Sequence, residues 1–272
     1  MPDNIVTIDF HRHLRLEPGD VLLDLGSGNG RHTIEACRWP CHVVSVDVDV
    51  QELRQARYFL RAPEGETPWK RYGPEPKEGI LGWADFIVAD AQHLPFKEGA
   101  FDKVMCTEVM EHVPDDKLSI SELYRVAKAG AAMAVSVPRH APERVFWALS
   151  WEYWHTPGGH VRLYRPGEMA GYLREHGFEL HTTRYRHALQ AMYWFLRCTF
   201  GKDNEQSLLP RTLARFINWY HSKRPRRIEE MEAVANLLFG KDMIMYSRKP
   251  AAPGADDHQP SQQPARETQV RP

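Results

Sequence analysis

The run VLLDLG, Val21 to Gly26, is apolar except for Asp24, which predicts a strand buried on both faces that ends directly in three alternating glycines, Gly26, Gly28 and Gly30. A helix is expected from about Arg31. CHVVSVD, Cys41 to Asp47, predicts a second strand, and Asp49 is placed to cap a helix through VQELRQARYFL. DFIVADA, FDKVMCTE and GAAMAVSV predict three more strands. Between the last two, PDDKLSISELYRVAKAG has helical spacing, with Gly130 expected at its left-handed cap. Strands alternating with helices predict an α/β fold: a doubly wound, Rossmann-like sheet in a three-layer α/β/α arrangement.

Beyond Pro138 the pattern changes. Trp147, Trp151 and Trp154 recur at i, i+4 and i+7, the spacing of one helical face and of a core stripe. RPGEMAGYLREHGF predicts a helix with Pro166 near its first turn and Gly177 past its end, leading into a strand around FELHTTRY. KDMIMYSRKP predicts the last strand. An amphipathic helix carrying Leu209, Leu213, Phe216, Ile217 and Tyr220 is expected between those two strands, then a second from Ile228 to Phe239 ending at Gly240. The Pro- and Gly-rich stretch 61–82 predicts a loop, and the tail 250–272, with five prolines and no aromatic, Leu or Ile, predicts disorder. The expected organisation is one domain over 1–249, with a helical lid at about 186–240.

Composition narrows the function classes. With 35 Lys and Arg against 36 Asp and Glu the net charge is -1, which excludes chain-wide attraction to nucleic acid or membrane. The charge is nevertheless segregated: residues 181–227 hold ten Lys and Arg against two acids, +8, and the remainder is -9. That segment also holds eight aromatics. Cys37, Cys41, Cys106 and Cys198 fit neither a disulfide framework nor a paired zinc motif, and are read as buried thiols. With no export signal and no long apolar run, a cytoplasmic chain is expected, touching a membrane at most peripherally through 181–227.

Glycines at 26, 28 and 30 let backbone approach a nucleotide-like ligand, but their spacing departs from the G-x-G-x-x-G of dinucleotide binders, so a nicotinamide dehydrogenase is the weakest rival. VLLDLGSGNGRHT, VVSVDVD, FIVADAQHLPF and FDKVMCTEVMEHVPD, in that order and spacing, resemble the successive motifs of class I S-adenosylmethionine-dependent methyltransferases. The resemblance is clear over Val21 to Pro138. It implies a mainly parallel sheet with one antiparallel strand, here KDMIMYSRKP, and S-adenosylmethionine as cofactor. Residue by residue it implies that Asp24, Gly26, Ser27, Gly28 and Gly30 hold the amino-acid moiety and that Asp47 holds the ribose. It further implies Asp90 and Ala91 at the adenine and Thr107 and Glu108 beside the sulfonium.

Glu108, Glu111 and His112 form an E-x-x-E-H string that converges on one face if the segment is helical. One reading follows its resemblance to the metal motif of ubiquinone-biosynthesis O-methyltransferases and small-RNA 2′-O-methyltransferases, with His160 as a further ligand or a base. The other is metal-free, with His112 packed near the methyl group; Glu111, His112 and His160 are the catalytic candidates in either. The bases interleaved with aromatics in 181–227 suit an anionic, partly apolar partner such as a lipid phosphate, a membrane surface or RNA, and the AMYWFL run with the Trp147, Trp151 and Trp154 stripe favours a small or lipid-like acceptor over RNA. The function these features imply is methyl transfer to such an acceptor, most readily at oxygen. The rivals are a metal-dependent RNA 2′-O-methyltransferase and a cofactor-binding regulator without turnover. Nothing in the sequence gives the oligomeric state.

Overall fold

The structure, a computed structural model, describes residues 6–62, 81–155, 159–201, 204, 207–223 and 225–251. Residues 63–80 of the expected loop and 252–272 of the expected tail lie outside the described residues.

The chain runs β1 (Val21–Leu25), α1 (Arg31–Ala36), β2 (His42–Asp47), α2 (Val50–Arg61), β3 (Trp83–Val88), β4 (Phe101–Thr107), α3 (Asp116–Val126) and β5 (Ala127–Pro138). It continues through α4 (His140–Leu149), α5 (Trp151–Trp154), α6 (Glu168–Glu175), β6 (Glu179–Arg186), α7 (Ala188–Phe200), α8 (Leu208–Lys223), α9 (Arg226–Phe239) and β7 (Asp242–Arg248). The seven strands form one sheet ordered β3-β2-β1-β4-β5-β7-β6, parallel except for β7, which runs antiparallel to both neighbours. KDMIMYSRKP is thus the antiparallel strand, as expected. The order reverses between β1 and β4, so their carboxyl ends open the crevice in which such sheets bind ligands.

Period-two alternation buries both faces. Leu22, Val43, Met105 and Ile244 pack on one side with α1 and the N-terminal Ile8, Phe10 and Leu14. Leu23, Val44, Val104 and Met245 pack on the other with Ile120 and Leu123 of α3 and Met169 and Leu173 of α6. The cysteines are buried free thiols, and burial pushes Cys41 up to about 11. Asp49 caps α2 by accepting from the amides of Gln51 and Glu52.

Two expectations need correction. Gly130 does not cap α3, which ends at Val126; it lies within β5 with φ 80°, where the pairing of β5 with β4 slips between Phe101 and Lys103. Nor do the three tryptophans form a core stripe. The helix breaks at Ser150, whose hydroxyl caps α5, and Trp151 and Trp154 are left 67% and 49% exposed. Trp154 stacks on Trp147 instead, with centroids 5.4 Å apart.

Helices α7 to α9 form an excursion between β6 and β7. Its two ends meet, because Arg186 pairs with Asp242 in the β6–β7 register. That closure brings His187 beside Lys241 and Asp242 next to the crevice.

Candidate active site

The glycine loop is shaped by close packing. Gly26 and Gly30 have φ of 69° and 87°, and a Cβ would stand 2.0 Å from Val109 Cγ2 at the first and 2.7 Å from Ala56 Cβ at the second. At Gly28 (φ 51°) the nearest atom would be 3.9 Å away, so this glycine faces open space. Its amide donates to Asp47 Oδ2 (2.8 Å), and the Asp49 amide donates to Asp47 Oδ1 (2.9 Å). Asp47 therefore stands at the end of β2 with lone pairs still available on each oxygen.

Asp24 is fully buried. Its Oδ2 accepts from the Thr33 hydroxyl (2.6 Å), while Oδ1 has no donor; burial pushes its carboxyl up to about 7. Thr33 Oγ1 also lies 3.1 Å from Ser45 Oγ, and Ser45 donates to Ser27 (2.7 Å), which ties the loop to β2. Thr107, at the end of β4, is 3.3 Å from His32 Nδ1. Because the Thr7 amide donates to His32 Nε2, the ring proton sits on Nδ1 and points at Thr107. Asp90 lies two residues past β3 and heads a turn, where the Gln92 amide holds its carboxyl below the usual range. Ala91 beside it is buried.

The segment after β4 is a turn, not a helix, so the E-x-x-E-H string does not converge as a helical face. Glu108 has φ 56°, a strained conformation for a side chain of its size, and accepts from the Ser136 hydroxyl (2.8 Å). Its carboxyl is pushed up to about 7, first by burial and then by Asp242. Glu111 is completely buried, neither of its oxygens accepts a hydrogen bond from another residue, and burial holds it protonated well above the usual range. His112 is fixed by Nδ1 donating to Gly159 O (3.2 Å), which leaves Nε2 3.8 Å from Glu111 Oε1. His160 arrives because the Val161 amide donates to Glu111 O and Arg162 donates to the carbonyls of Met110 and Pro114. Ligand atoms of Glu111, His112 and His160 then lie within 4.8 Å of one another, a cluster that does not include Glu108.

Glu108 and His160 line a cavity of about 280 Å³ together with Thr7 and Arg31. Its remaining walls went unrecognised in the sequence: Tyr153 of α5, His187, Gln190 and Trp194 of the α7 region, and Lys241 and Asp242 before and in β7. Asp242 accepts from His187 Nδ1 (2.5 Å) and Lys241 Nζ (3.2 Å). Burial alone would lower Lys241, but the carboxylates of Asp242, Glu108 and Glu143 outweigh it and keep the ammonium charged. Glu143 of α4, wholly buried, accepts from the Tyr153 hydroxyl (3.2 Å) and lies 3.4 Å from His160 Nδ1. A charged Lys–Asp pair before an apolar strand, and an acid inside the helix HAPERVFWAL, were the available signals. Of the described residues in the expected basic and aromatic lid, those lining this cavity lie at the start of α7, and none belongs to α8 or α9. A larger hollow of about 620 Å³ between α2 and β3 is lined by Arg54, Arg57, Arg61 and Tyr58, with no carboxylate or imidazole among the described residues. The cluster of carboxyl, imidazole and ammonium groups lines the smaller one.

A family model described as "Methyltransferase domain" matches residues 8–183. A ubiquinone biosynthesis O-methyltransferase of Albidiferax ferrireducens is 28% identical over 199 residues, covering 70% of this chain and 73% of the relative. A sterol 24-C-methyltransferase of Saccharomyces cerevisiae is 28% identical over 121 residues, 44% of this chain and 28% of that protein's length. Among solved structures, a SAM-dependent methyltransferase of Methanosarcina mazei superposes with a TM-score of 0.55 at 18% identity, covering 91% of this chain and 99% of the other. The [4+2]-cyclase SpnF superposes with a TM-score of 0.55 at 20% identity, covering 89% and 78%. At such identities the structural likeness shows the fold alone, and a cyclase among the neighbours illustrates that the fold does not fix the chemistry.

Proposed function

The chain belongs to the methyltransferase domain family, and we propose that this S-adenosylmethionine-dependent enzyme methylates an oxygen of a small or lipid-like acceptor held in the cavity beside Glu108. The observation that carries this reading is the convergence, at the carboxyl end of β4, of an open cavity with a carboxyl whose protonation changes near neutral pH. The names of the two relatives, one for ubiquinone biosynthesis and one for sterol, support a lipid-like acceptor.

The residues present fit the cofactor. Gly28 leaves the loop open, the donorless Asp24 Oδ1 suits an ammonium, and Asp47 keeps lone pairs for ribose hydroxyls. S-adenosylmethionine supplies a methyl group already activated on a sulfonium, so the chain's own task is alignment and proton handling. Glu108, held by Ser136, accepts the acceptor's proton as the oxygen attacks. Lys241 holds the neighbouring Asp242 charged and partly offsets the burial that raises Glu108, and Trp194 lines the cavity.

Asp47→Ala removes the charge-assisted bonds to ribose and the anchor of the Gly28 amide. Each such bond is worth about 1.5–3 kcal/mol. S-adenosylhomocysteine affinity by calorimetry should fall about 100-fold; unchanged affinity would show that Asp47 is not the ribose ligand. A screen of hydroxylated quinone-like and sterol-like acceptors, scored by mass shift, tests the acceptor class.

A second reading rests on Glu111. Two buried oxygens without donors, facing two imidazoles within 4.8 Å, are the donor set of a divalent cation. Glu111, His112 and His160 would hold it, and it would lower the pKa of an acceptor hydroxyl, as RNA 2′-O-methylation requires. Manganese or zinc should then raise the melting temperature of the native chain and leave Glu111→Gln unmoved. An equal response of the two proteins removes this reading. Activity lost to a chelator, with binding that weakens steeply in salt, would favour RNA as the acceptor.

A further inference from the structure

The outer helices of the excursion between β6 and β7 expose what helices ordinarily bury. On α8 the buried side chains include Ile217, Tyr220 and His221, while Leu208 and Leu209 are 76% and 56% exposed and Trp219 is 47% exposed beside Phe216. Leu208, Arg215 and Trp219 stand at i, i+7 and i+11, on one outward face with Arg211 and Lys223. That helix contains no acid. On α9, Arg227, Met231, Val234 and Leu238 recur at i, i+4, i+7 and i+11, and the three apolar ones are 64–71% exposed. The opposite side of α9 is fixed inward by Asn236, whose Oδ1 accepts from the Ala188 amide (2.8 Å). The Tyr220 hydroxyl, donating to Glu232 (2.6 Å), joins α8 to α9, and both pack on α7.

We propose that this face of α8 and α9 docks on an anionic lipid bilayer. Two features select that occupant. Arg211, Arg215, Lys223 and Arg227 form no ion pair among the described residues, so the apolar positions are interleaved with unneutralised positive charge. A two-fold contact between copies of this chain would set those charges against one another, whereas an anionic headgroup layer neutralises them. The helices span 16 and 14 residues, and no described helix is long and apolar enough to cross a membrane, so they would lie in the interface plane, with Trp219 at headgroup depth. Their position has a use that rests on the proposed lipid-like acceptor. Helix α7, on which they pack, carries Gln190 and Trp194 of the cavity wall, so docking would bring the cavity close to the bilayer from which such an acceptor must be drawn.

Co-sedimentation of the full chain with vesicles of phosphatidylcholine, alone or with about one-third phosphatidylserine, tests this. Binding should need phosphatidylserine, weaken with salt, and fall about 30-fold in R215Q/K223Q, at about tenfold for each 1.4 kcal/mol and about 1 kcal/mol per basic residue. V234E/L238E should abolish it. Neither pair belongs to the cofactor site, so S-adenosylhomocysteine affinity should stay unchanged in both and certify the fold. No vesicle binding, equal binding by R215Q/K223Q, or a concentration-dependent dimer dissolved by V234E/L238E would each overturn the proposal. Loss of docking with methylation of a detergent-dispersed acceptor intact condemns the surface alone. Docking without such methylation condemns only the acceptor.

Discussion

Gly26→Ala should cost the protein about 3 kcal/mol of stability and most of its cofactor affinity. A Cβ at this position meets Val109 Cγ2 at 2.0 Å, with Val109 Cβ and Cγ1 at 3.3 and 3.4 Å behind it. Valine has one strongly preferred rotamer, so the collision moves backbone as well as side chain. Holding alanine at φ 69° costs about 1–2 kcal/mol, and overpacking of this kind adds about 1–3 kcal/mol. Val109 adjoins Glu108, so the same displacement shifts the strained turn that presents the Glu108 carboxyl. Gly28→Ala is the control, because its Cβ would meet nothing within 3.9 Å. It should lose only the conformational part, about 1–2 kcal/mol, yet weaken S-adenosylhomocysteine binding by filling the open side of the loop. Urea unfolding with parallel calorimetry separates the two. Equal stability losses would mean that contact with Val109 is not what requires glycine at position 26.

What could be read from the sequence was local. VLLDLG, CHVVSVD and the glycines lie within one βαβ unit, so the roles expected of Asp24, Gly28 and Asp47 needed no knowledge of distant segments. KDMIMYSRKP could be placed as the antiparallel strand because the family resemblance supplied its partner. Where long-range closure decides, the sequence was mute. His187 reaches Asp242 only because β6 and β7 pair in a register that shuts the base of a long excursion, and a Lys–Asp dipeptide before a strand looks like surface charge. Glu143 likewise occupies a helix whose pattern gives no reason for a buried acid until Tyr153 and His160 face it. Periodicity also failed at the tryptophans, since a spacing of i, i+4 and i+7 assumes a continuous helix and Ser150 interrupts it.

Asp24→Asn should move stability and cofactor binding in opposite directions, and pH should report both. The Asp24 carboxyl is raised to about 7 in the folded chain from 3.8, principally because burial disfavours its charge. Between those values the folded chain keeps a proton that the unfolded chain has released. Stability therefore falls as pH rises through this window, and the loss is complete above about 7, where it amounts to about 4 kcal/mol for a displacement of this size. Asparagine carries no charge to desolvate and can still accept from Thr33. At pH about 8.5 the variant should recover part of that energy in the cofactor-free protein, and near pH 4 the two should unfold alike. Cofactor binding runs the other way, because only the ionised carboxylate gives a full charge-assisted bond to an ammonium, worth about 1.5–3 kcal/mol. Affinity of the native chain should tighten as pH rises through about 7, while that of the variant stays flat and about 10–100-fold weaker at the alkaline end. A variant less stable than the native chain at pH about 8.5 would show that the carboxyl is not held there at a cost. Native affinity that ignores pH would separate Asp24 from the cofactor altogether.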